Sequence, residues 1–380
     1  MTAATVFPDT ADAVRDVYPD YDPHNFVRKH AGPVRLREAL GSSLNVPAVV
    51  ALGMIGARLV HDACTAWGIR FEAPLKDSGA GFILGNGGVT LLDLTGAYAG
   101  LSRQGVVVKP WLEGVQPGGM RRVCDAESVA IITDILCDNE ARAGSFGWRS
   151  PLATRRRLPV KTGTSAGYRD AWTVGFTREH TVGIWVGNLD GRPMSRAGSI
   201  VAAAPLWRAV IDEVFEKDLG VDSPEMTRTP VCALSGLRPC ALSSRTVDEL
   251  FLAGTEPTAS ADSWFDEDGV PLLPPEYGSW CSSSDNWRGA RAQVSPRELR
   301  ILVPRAEAVY IADRELPANQ QQVEFRANQT ANTTWLLNGL PLLPDSSGRV
   351  LWRLTEGEWI LVVSDGTTSD TRRFRVVRSE

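Results

Sequence analysis

Lysine is scarce in this chain: among its 40 basic residues only Lys29, Lys76, Lys109, Lys161 and Lys217 are not arginine. We read that preference as coding bias, and it makes each lysine worth locating. Histidine occurs only at positions 24, 30, 61 and 180, and the six cysteines (Cys64, Cys124, Cys137, Cys232, Cys240, Cys281) include no C-x-x-C pair. No zinc-type spacing emerges, so neither a metal nor another cofactor is expected. Long hydrophobic runs are missing too. The longest, residues 46–57, contains glycines and is too short to span a bilayer. Residues 1–10 have neither the basic nor the apolar region of a secretory leader. These residues are therefore expected to encode no membrane span and no export signal. A net charge of −5 gives no reason to invoke nucleic acid.

What is present is a globular composition. The 380 residues, 43% hydrophobic and 22% charged, suffice for two domains with cores of their own. Residues 1–32 are polar and Pro-punctuated and read as an extended surface connector. Helical periodicity follows over 34–41, 47–56 and 57–67. It returns over 90–102, where Leu91, Leu94, Ala97, Tyr98 and Leu101 form one stripe, and again over 127–137. Residues 202–215 place Leu206, Val210 and Val214 on one face, with Trp207 and Ile211 beside them. Cys64, Cys124 and Cys137, in apolar helical patterns, read as buried thiols.

Two period-2 runs, 172–176 and 181–186, are joined by Arg178, Glu179 and His180 and predict a hairpin. Just before them Lys161-Thr162-Gly163-Thr164 ends another predicted strand. Arg155, Arg156 and Arg157 precede it, either to attract anionic ligands or to protect a strand edge from pairing with other chains. Tyr168, Arg169 and Asp170 follow it, as part of a cleft rim or as a turn. From 221 to 291 the composition shifts to Pro, Ser, Asp and Gly, predicting a long, sparsely structured connector. Beyond it come short runs at 299–303, 321–325, 332–337, 350–354, 359–363 and 371–377. The hairpin turns Asn338-Gly339 and Asp365-Gly366 lie between them, so a small β-sandwich is expected.

A lysine and two hydroxyls on an edge strand can hold a peptide's terminal carboxylate, while Gly163 leaves room for the substrate backbone to lie alongside as an added strand. The Thr164 N–H would point where an oxyanion develops. K-T-G alone is a weak signal, because any lysine entering a turn can be followed by Thr-Gly. The second motif is Ser43-Leu44-Asn45, on a loop after the break at Gly41 and before Pro47, a residue suited to a helix's first turn. There a hydroxyl can relay a proton, and an amide can orient a lysine and a substrate carbonyl. Ser and Asn also serve routinely as helix N-caps.

In this order and with these flanks the two motifs resemble the transpeptidase domain of penicillin-binding proteins, whose signature set is S-x-x-K, S-x-N and K-T-G. LREALGSSLNVPAV, LGNGGVTLLDLTGAYAGLSRQG, ITDILCDNEARAGSFG and KTGTSAGYRDAWTVGF resemble the 1C subgroup of class A, with the segment Asp138 to Arg142 the most specific. The likeness runs from about Arg15 to the C-terminus. It implies an α+β transpeptidase domain of the serine β-lactamase-like type over residues 1–220, N-terminally truncated. A connector over 221–298 and a C-terminal β-sandwich over 299–380 complete the expected organisation. In the family the stretch with Tyr21, Pro23, Asn25 and Phe26 borders the cleft.

The implied activity is acyl transfer at D-Ala-D-Ala stem peptides of peptidoglycan, a reaction β-lactams imitate. The resemblance carries roles onto the matching positions: Ser43 relays protons, Asn45 orients, Lys161 and Thr162 hold the leaving side and carboxylate, Gly163 makes room for the substrate backbone, and Thr164 supplies an oxyanion N–H. One element is missing. The attacking serine of S-x-x-K precedes its lysine by three positions, and here those positions hold Phe26, Ala73, Val106, Leu158 and Val214. The nucleophile is therefore expected in a segment encoded upstream, along with the family's membrane anchor and glycosyltransferase domain. The full-length family is periplasmic and anchored to the inner membrane.

Three readings follow: part of an acyltransferase completed by an upstream segment, which we favour; a non-catalytic remnant binding stem peptide or a cell-wall partner; and a stand-alone hydrolase of β-lactamase type, disfavoured because Ser43 has no lysine one turn away. Poor solubility alone is expected, since the sheet from K-T-G onward would expose apolar faces. Cys232 and Cys240 are close enough in sequence to pair in an oxidising compartment, a pairing left open.

Overall fold

The computed structural model describes the whole chain except residues 16, 19–20, 112–117, 155, 195–197, 215–225, 288–291, 295–298, 313–320, 328–332, 346–348, 367 and 379–380. Arg155, Phe215, Val221, Arg291 and Asn332 of the sequence reading lie outside the described residues. The chain divides into two compact units, Met1–Pro271 with Ser279–Gly289, and Leu272–Gly278 with Ala290–Glu380.

The first unit begins with a strand, not with the expected surface connector. β1 (Val6–Asp9) pairs antiparallel with β2 (Gly32–Arg35), Asp9 opposite Gly32. Phe7 and Val14 are buried against Val46, Val49 and Val50. A hydrophobic pattern this short and interrupted by proline carries no clear period, so only tertiary packing reveals it. α1 (Leu36–Gly41) follows directly, and α2 (Asn45–Ile55) and α3 (Ala57–Ala66) come after it, close to their expected spans. After the single turn α4 (Leu75–Ser78), α5 (Leu91–Ser102) starts where the Thr90 hydroxyl accepts the Asp93 N–H at 3.1 Å. The two-residue strands β3 (Val106–Val107) and β4 (Arg121–Arg122) lead to α6 (Ala126–Cys137), capped by Asp125, and to α7 (Asn139–Phe146), capped by Asp138.

β5 (Val160–Thr164), β6 (Asp170–Phe176) and β7 (Thr181–Gly187) form an antiparallel sheet in that order, with Lys161 opposite Val174 and Gly163 opposite Trp172. The expected hairpin is β6–β7. α8 (Ser199–Val214) packs on this sheet. Its buried stripe is Ala203, Ala204, Trp207 and Ile211, whereas the expected Leu206 and Val210 are exposed. Both stripes satisfy helical spacing, and the one carrying the large indole faces the sheet. Val201, Leu206 and Val210 remain on the surface.

The region expected as a sparse connector opens instead with a hairpin of two seven-residue strands, β8 (Met226–Cys232) and β9 (Thr246–Leu252), inside the first unit. Val231 and Phe251 are fully buried there. Asp248 and Glu249 stand side by side in the middle of β9 and break the period-2 pattern, and that is what obscured the strand in sequence. All six cysteines are free thiols; Cys137 is buried as expected, while Cys64 and Cys124 are only half-buried.

The second unit contains the short parallel pair β10 (Leu272–Leu273) and β11 (Gln293–Val294), then two sheets that share one core. β12 (Ile301–Val303), β14 (Gln322–Ala327) and β17 (Val350–Arg353) form the smaller; β13 (Ala308–Ala312), β15 (Thr334–Leu337), β16 (Leu340–Leu342), β18 (Gly357–Ser364) and β19 (Ser369–Arg378) form the larger. Leu299, Phe325, Trp335, Leu361 and Phe374 lie between them. Asn338 and Gly339 both adopt positive φ, 47° and 80°, the two-residue turn their sequence predicts. β13 and β16 were not expected, and β13 pairs parallel with β19, a long-range choice that no local turn signals.

Candidate active site

Side chains alternate along a strand, so Lys161 and Gly163 face one side of β5 and Thr162 and Thr164 the other. The second side faces α8: the Thr164 hydroxyl donates to the Ser199 hydroxyl at 3.0 Å and accepts the Ser199 N–H at 3.0 Å. The first side meets the α1–α2 loop. There the Lys161 ammonium donates to the Ser43 hydroxyl at 2.5 Å and to the Thr162 carbonyl at 2.8 Å. Two residues 118 apart in sequence thus touch.

The position of Ser43 comes from how α1 ends. The Ser43 N–H donates to the Leu40 carbonyl at 3.2 Å and the Leu44 N–H to the Ala39 carbonyl at 2.9 Å, the paired bonds of a Schellman motif. That motif needs a left-handed residue, usually glycine; here it is Ser43, at φ 56°. A serine in this place is strained by about 1 kcal/mol or more, an outlier that points to use of its hydroxyl. The comparison of two replacements checks this. Ser43→Gly is expected to stay within about 1 kcal/mol of the wild type in urea unfolding, strain relief offsetting the lost hydrogen bond and the greater freedom of the unfolded chain. Ser43→Val should fall by about 2 kcal/mol, since a β-branched residue is an outlier at this φ. Equal stability of the two variants would contradict the strained backbone.

α7 holds the loop from behind. The Ser42 hydroxyl donates to the Ala141 carbonyl at 2.7 Å, and a β-carbon on Gly41 would come within 2.8 Å of that of Ala141. Only glycine permits so close an approach of α1 to α7. Arg142, on the same helix, is buried; its guanidinium donates to the carbonyls of Leu136, Asp138 and Leu152. Burial lowers its pKa to about 10. Burial, reinforced by the like charge of Arg142, pulls the Lys161 ammonium down to about 8.

The other expected residues fall as follows. Asn45 is the first residue of α2, and its side chain donates to the His24 carbonyl at 2.7 Å. Thr162 is buried, so it presents its carbonyl to Lys161 while its side chain lies on the far face. A β-carbon on Gly163 would meet only Trp172, at an ordinary 3.6 Å. Packing within the chain does not require glycine there, and the space beside β5 stays open. β5 pairs only with β6 among the described strands, which leaves its other edge free for an extended ligand. Arg156 and Arg157 are exposed ahead of it. Tyr168, at φ 58°, stands edge-on to Phe26 with ring centroids 6.4 Å apart. Asp170 accepts the Trp185 indole N–H at 2.9 Å, which ties the start of β6 to β7.

The sequence reading missed the support behind this cleft. Asp9 and Asn25, in the presumed surface connector, are both buried. Glu249 in β9 is fully buried, accepting hydrogen bonds from Arg35 at 2.8 Å and from Arg37 at 2.7 Å and 2.5 Å. Arg37 also reaches Asp134 at 2.6 Å and Asp138 at 3.0 Å. Burial disfavours the charge on Arg37, but Glu249 and Asp134 outweigh it and hold its pKa above the ordinary value. A buried Arg or Glu is rare unless paired, yet pairing partners cannot be read from sequence. Among the described residues no group of histidines, cysteines and carboxylates is arranged to hold a metal ion. Nor is any single helix long and apolar enough to cross a membrane.

Comparison with known proteins agrees on one family. Residues 288–374 match the Penicillin-Binding Protein C-terminus Family. The chain is 33% identical over 229 residues to penicillin-binding protein 1C of Escherichia coli, covering 56% of this chain and 28% of that protein. It is 31% identical over 205 residues to penicillin-binding protein 1A of Aquifex aeolicus, covering 50% and 27% respectively. The crystal structure of penicillin-binding protein 1A from Haemophilus influenzae shares the fold, with TM-score 0.56 and 22% identity over 68% of this chain and 46% of that one. The chain thus spans under a third of the length of the curated relatives it matches.

Proposed function

Since the chain belongs to the class A penicillin-binding proteins, we propose that its cleft between the α1–α2 loop and β5 serves acyl transfer at D-Ala-D-Ala-terminated stem peptides of peptidoglycan, and that β-lactams compete there. The observation that carries this reading is the 2.5 Å contact of the Lys161 ammonium with the Ser43 hydroxyl beside an open strand edge. An extended peptide laid along β5 offers its terminal carboxylate to the Lys161 ammonium, beside Thr164 and Ser199 at the start of α8. Asn45, two residues after Ser43, takes the role of orienting amide, and the Thr164 N–H serves the developing oxyanion.

In the reaction a serine hydroxyl gives its proton to the lysine that accompanies it in S-x-x-K, outside these residues, while its oxygen bonds to the penultimate D-Ala carbonyl carbon. The C–N bond to the terminal D-Ala then breaks, and the departing amine takes a proton delivered through Ser43. Lys161 favours that delivery by holding the Ser43 hydroxyl in place, its own proton loosened by burial. A second strand's amine afterwards attacks the acyl carbon and releases the serine. These 380 residues contain no S-x-x-K, so we assign the attacking serine to sequence outside them. The exposed Val201, Leu206 and Val210 of α8 are apolar surface such a segment can cover. This arrangement belongs to the periplasmic face of the membrane, where peptidoglycan is built.

A second reading is that the chain binds stem peptide without turning it over. Both readings predict binding at the same cleft. In an NMR titration with a D-Ala-D-Ala-terminated pentapeptide, amide shifts should concentrate at Ser43, Asn45 and residues 161–164. Shifts confined to other regions, or none at millimolar peptide, would remove the assignment. A covalent penicillin adduct on this chain alone, seen by mass spectrometry, would show that the nucleophile lies within it and overturn that part of the proposal.

A further inference from the structure

α2 begins with an unusual cap. Its N-cap residue is Leu44, which has no side-chain acceptor for the helix's first free N–H groups. The acceptor comes from 20 residues upstream: the Asn25 side-chain oxygen takes the Asn45 N–H at 2.9 Å and the Val46 N–H at 3.4 Å. The Asn25 amide nitrogen donates to both Asp9 oxygens, at 2.8 Å and 2.9 Å, and to the Lys29 carbonyl at 2.9 Å. Every hydrogen-bonding position of Asn25 is thus filled, and its orientation is fixed. A flipped amide would aim N–H groups at the N–H groups of Asn45 and Val46.

Asp9 prevents that flip. Its side chain is buried, and one oxygen also accepts the Ala31 N–H at 2.7 Å. Burial raises the Asp9 pKa, while the Ala31 N–H, the Asn25 amide and the nearby His30 pull it back and Asp285 pushes it up. His30 itself bonds Asp285 at 3.0 Å. The carboxylate is therefore held in a site built to receive the amide of Asn25. The residues this cap controls are the first of α2, and Ser43 lies one residue before Leu44.

We propose that Asn25 and Asp9 are a positioning pair that holds the Ser43 to Asn45 wall against Lys161, Asn25 as an imported helix cap and Asp9 as the group that orients it. The proposal rests on the reading of this cleft as an acyl-transfer site. Neither residue touches substrate. Both set the distance across which the hydroxyl and the ammonium meet.

The test uses the full chain without ligand and follows the Lys161 side-chain methylene signals by NMR as pH is raised, together with the Asn45 and Val46 amide shifts and thermal melting. In Asn25→Ala and in Asp9→Asn the wall loosens and water reaches the ammonium, so the Lys161 midpoint should rise by roughly one pH unit. The exchange variant Asp9→Asn with Asn25→Asp restores a donor facing an acceptor and an acceptor facing α2. It should bring the midpoint and the amide shifts most of the way back. An unchanged midpoint in a single variant that still melts cooperatively overturns the proposal. So does an exchange variant as displaced as Asp9→Asn, a comparison that stands even if Asn25→Ala fails to fold. Because no peptide is present, a negative pentapeptide titration leaves this result intact and condemns the functional reading alone.

Discussion

Replacement of Glu249 by alanine is expected to lower the stability of the first unit by about 3 kcal/mol or more, the range seen when one partner of a buried ion pair is removed. Glu249 is 0% exposed and binds two guanidiniums, Arg35 and Arg37, which are 3% and 6% exposed. Without it Arg35 keeps Glu38, at 2.9 Å, and Arg37 keeps Asp134 and Asp138. Both arginines nevertheless lose donors' partners in a place water does not reach. Arg228 offers the contrast. It reaches Asp134 at 2.6 Å but its side chain is 42% exposed, so Arg228→Ala should lower stability by only about 1 kcal/mol or less. Urea unfolding of the two variants checks this, and similar losses in both would mean that Glu249 does not anchor the network. The network joins β9 to α1 and to the junction of α6 and α7, the elements that carry Ser43 and Arg142. The β8–β9 hairpin is thus part of the cleft's foundation.

The second large effect is at Lys161. Replacement by methionine should stabilise the chain at pH 7 and weaken pentapeptide binding by about tenfold or more, as loss of a charge-assisted contact does. The folded-state pKa of about 8 lies below the ordinary value of 10.5. Between those two values the unfolded chain binds the extra proton, so the wild type gains stability as pH rises through that window and is least stable below it. The full interval corresponds to about 3 kcal/mol, and because Lys161 remains partly exposed the expected gain for Lys161→Met at pH 7 is about 1–3 kcal/mol. Above pH 10.5 the advantage should vanish. Unfolding curves at pH 7 and near pH 10.5 decide it: a constant difference between the two proteins would mean that the ammonium is not strained by burial. A residue that destabilises the fold in its charged form and is kept beside a left-handed serine fits a site shaped for chemistry over stability.

Particular residues show where sequence reading succeeded. Lys161-Thr162-Gly163-Thr164 could be placed on a strand and Ser43 on an interhelical loop because Gly41, Pro47 and the alternation of residues 172–186 are local signals. The sandwich was legible for the same reason: Asn338-Gly339 and Asp365-Gly366 dictate turns whatever surrounds them. Where the reading went astray, the deciding contact was distant. Asn25 looked like surface because its partners, Asp9 and Asn45, lie 16 and 20 residues away. β9 looked like connector because Glu249 is a charge until Arg35 and Arg37 are seen around it. α8 offered two apolar stripes, and only the sheet chose between them.

The order of motifs, the strand that bears Lys161 and the absence of any S-x-x-K were settled by the chain's own residues, since backbone preferences and spacing act over a few positions. That Ser43 and Lys161 meet, that the ammonium there is held near 8, and that Asn25 and Asp9 stand behind them were decided only by tertiary structure. Hydrogen bonds, burial and charge act through space, and folding alone brings positions 9, 25, 43, 142 and 161 within their reach.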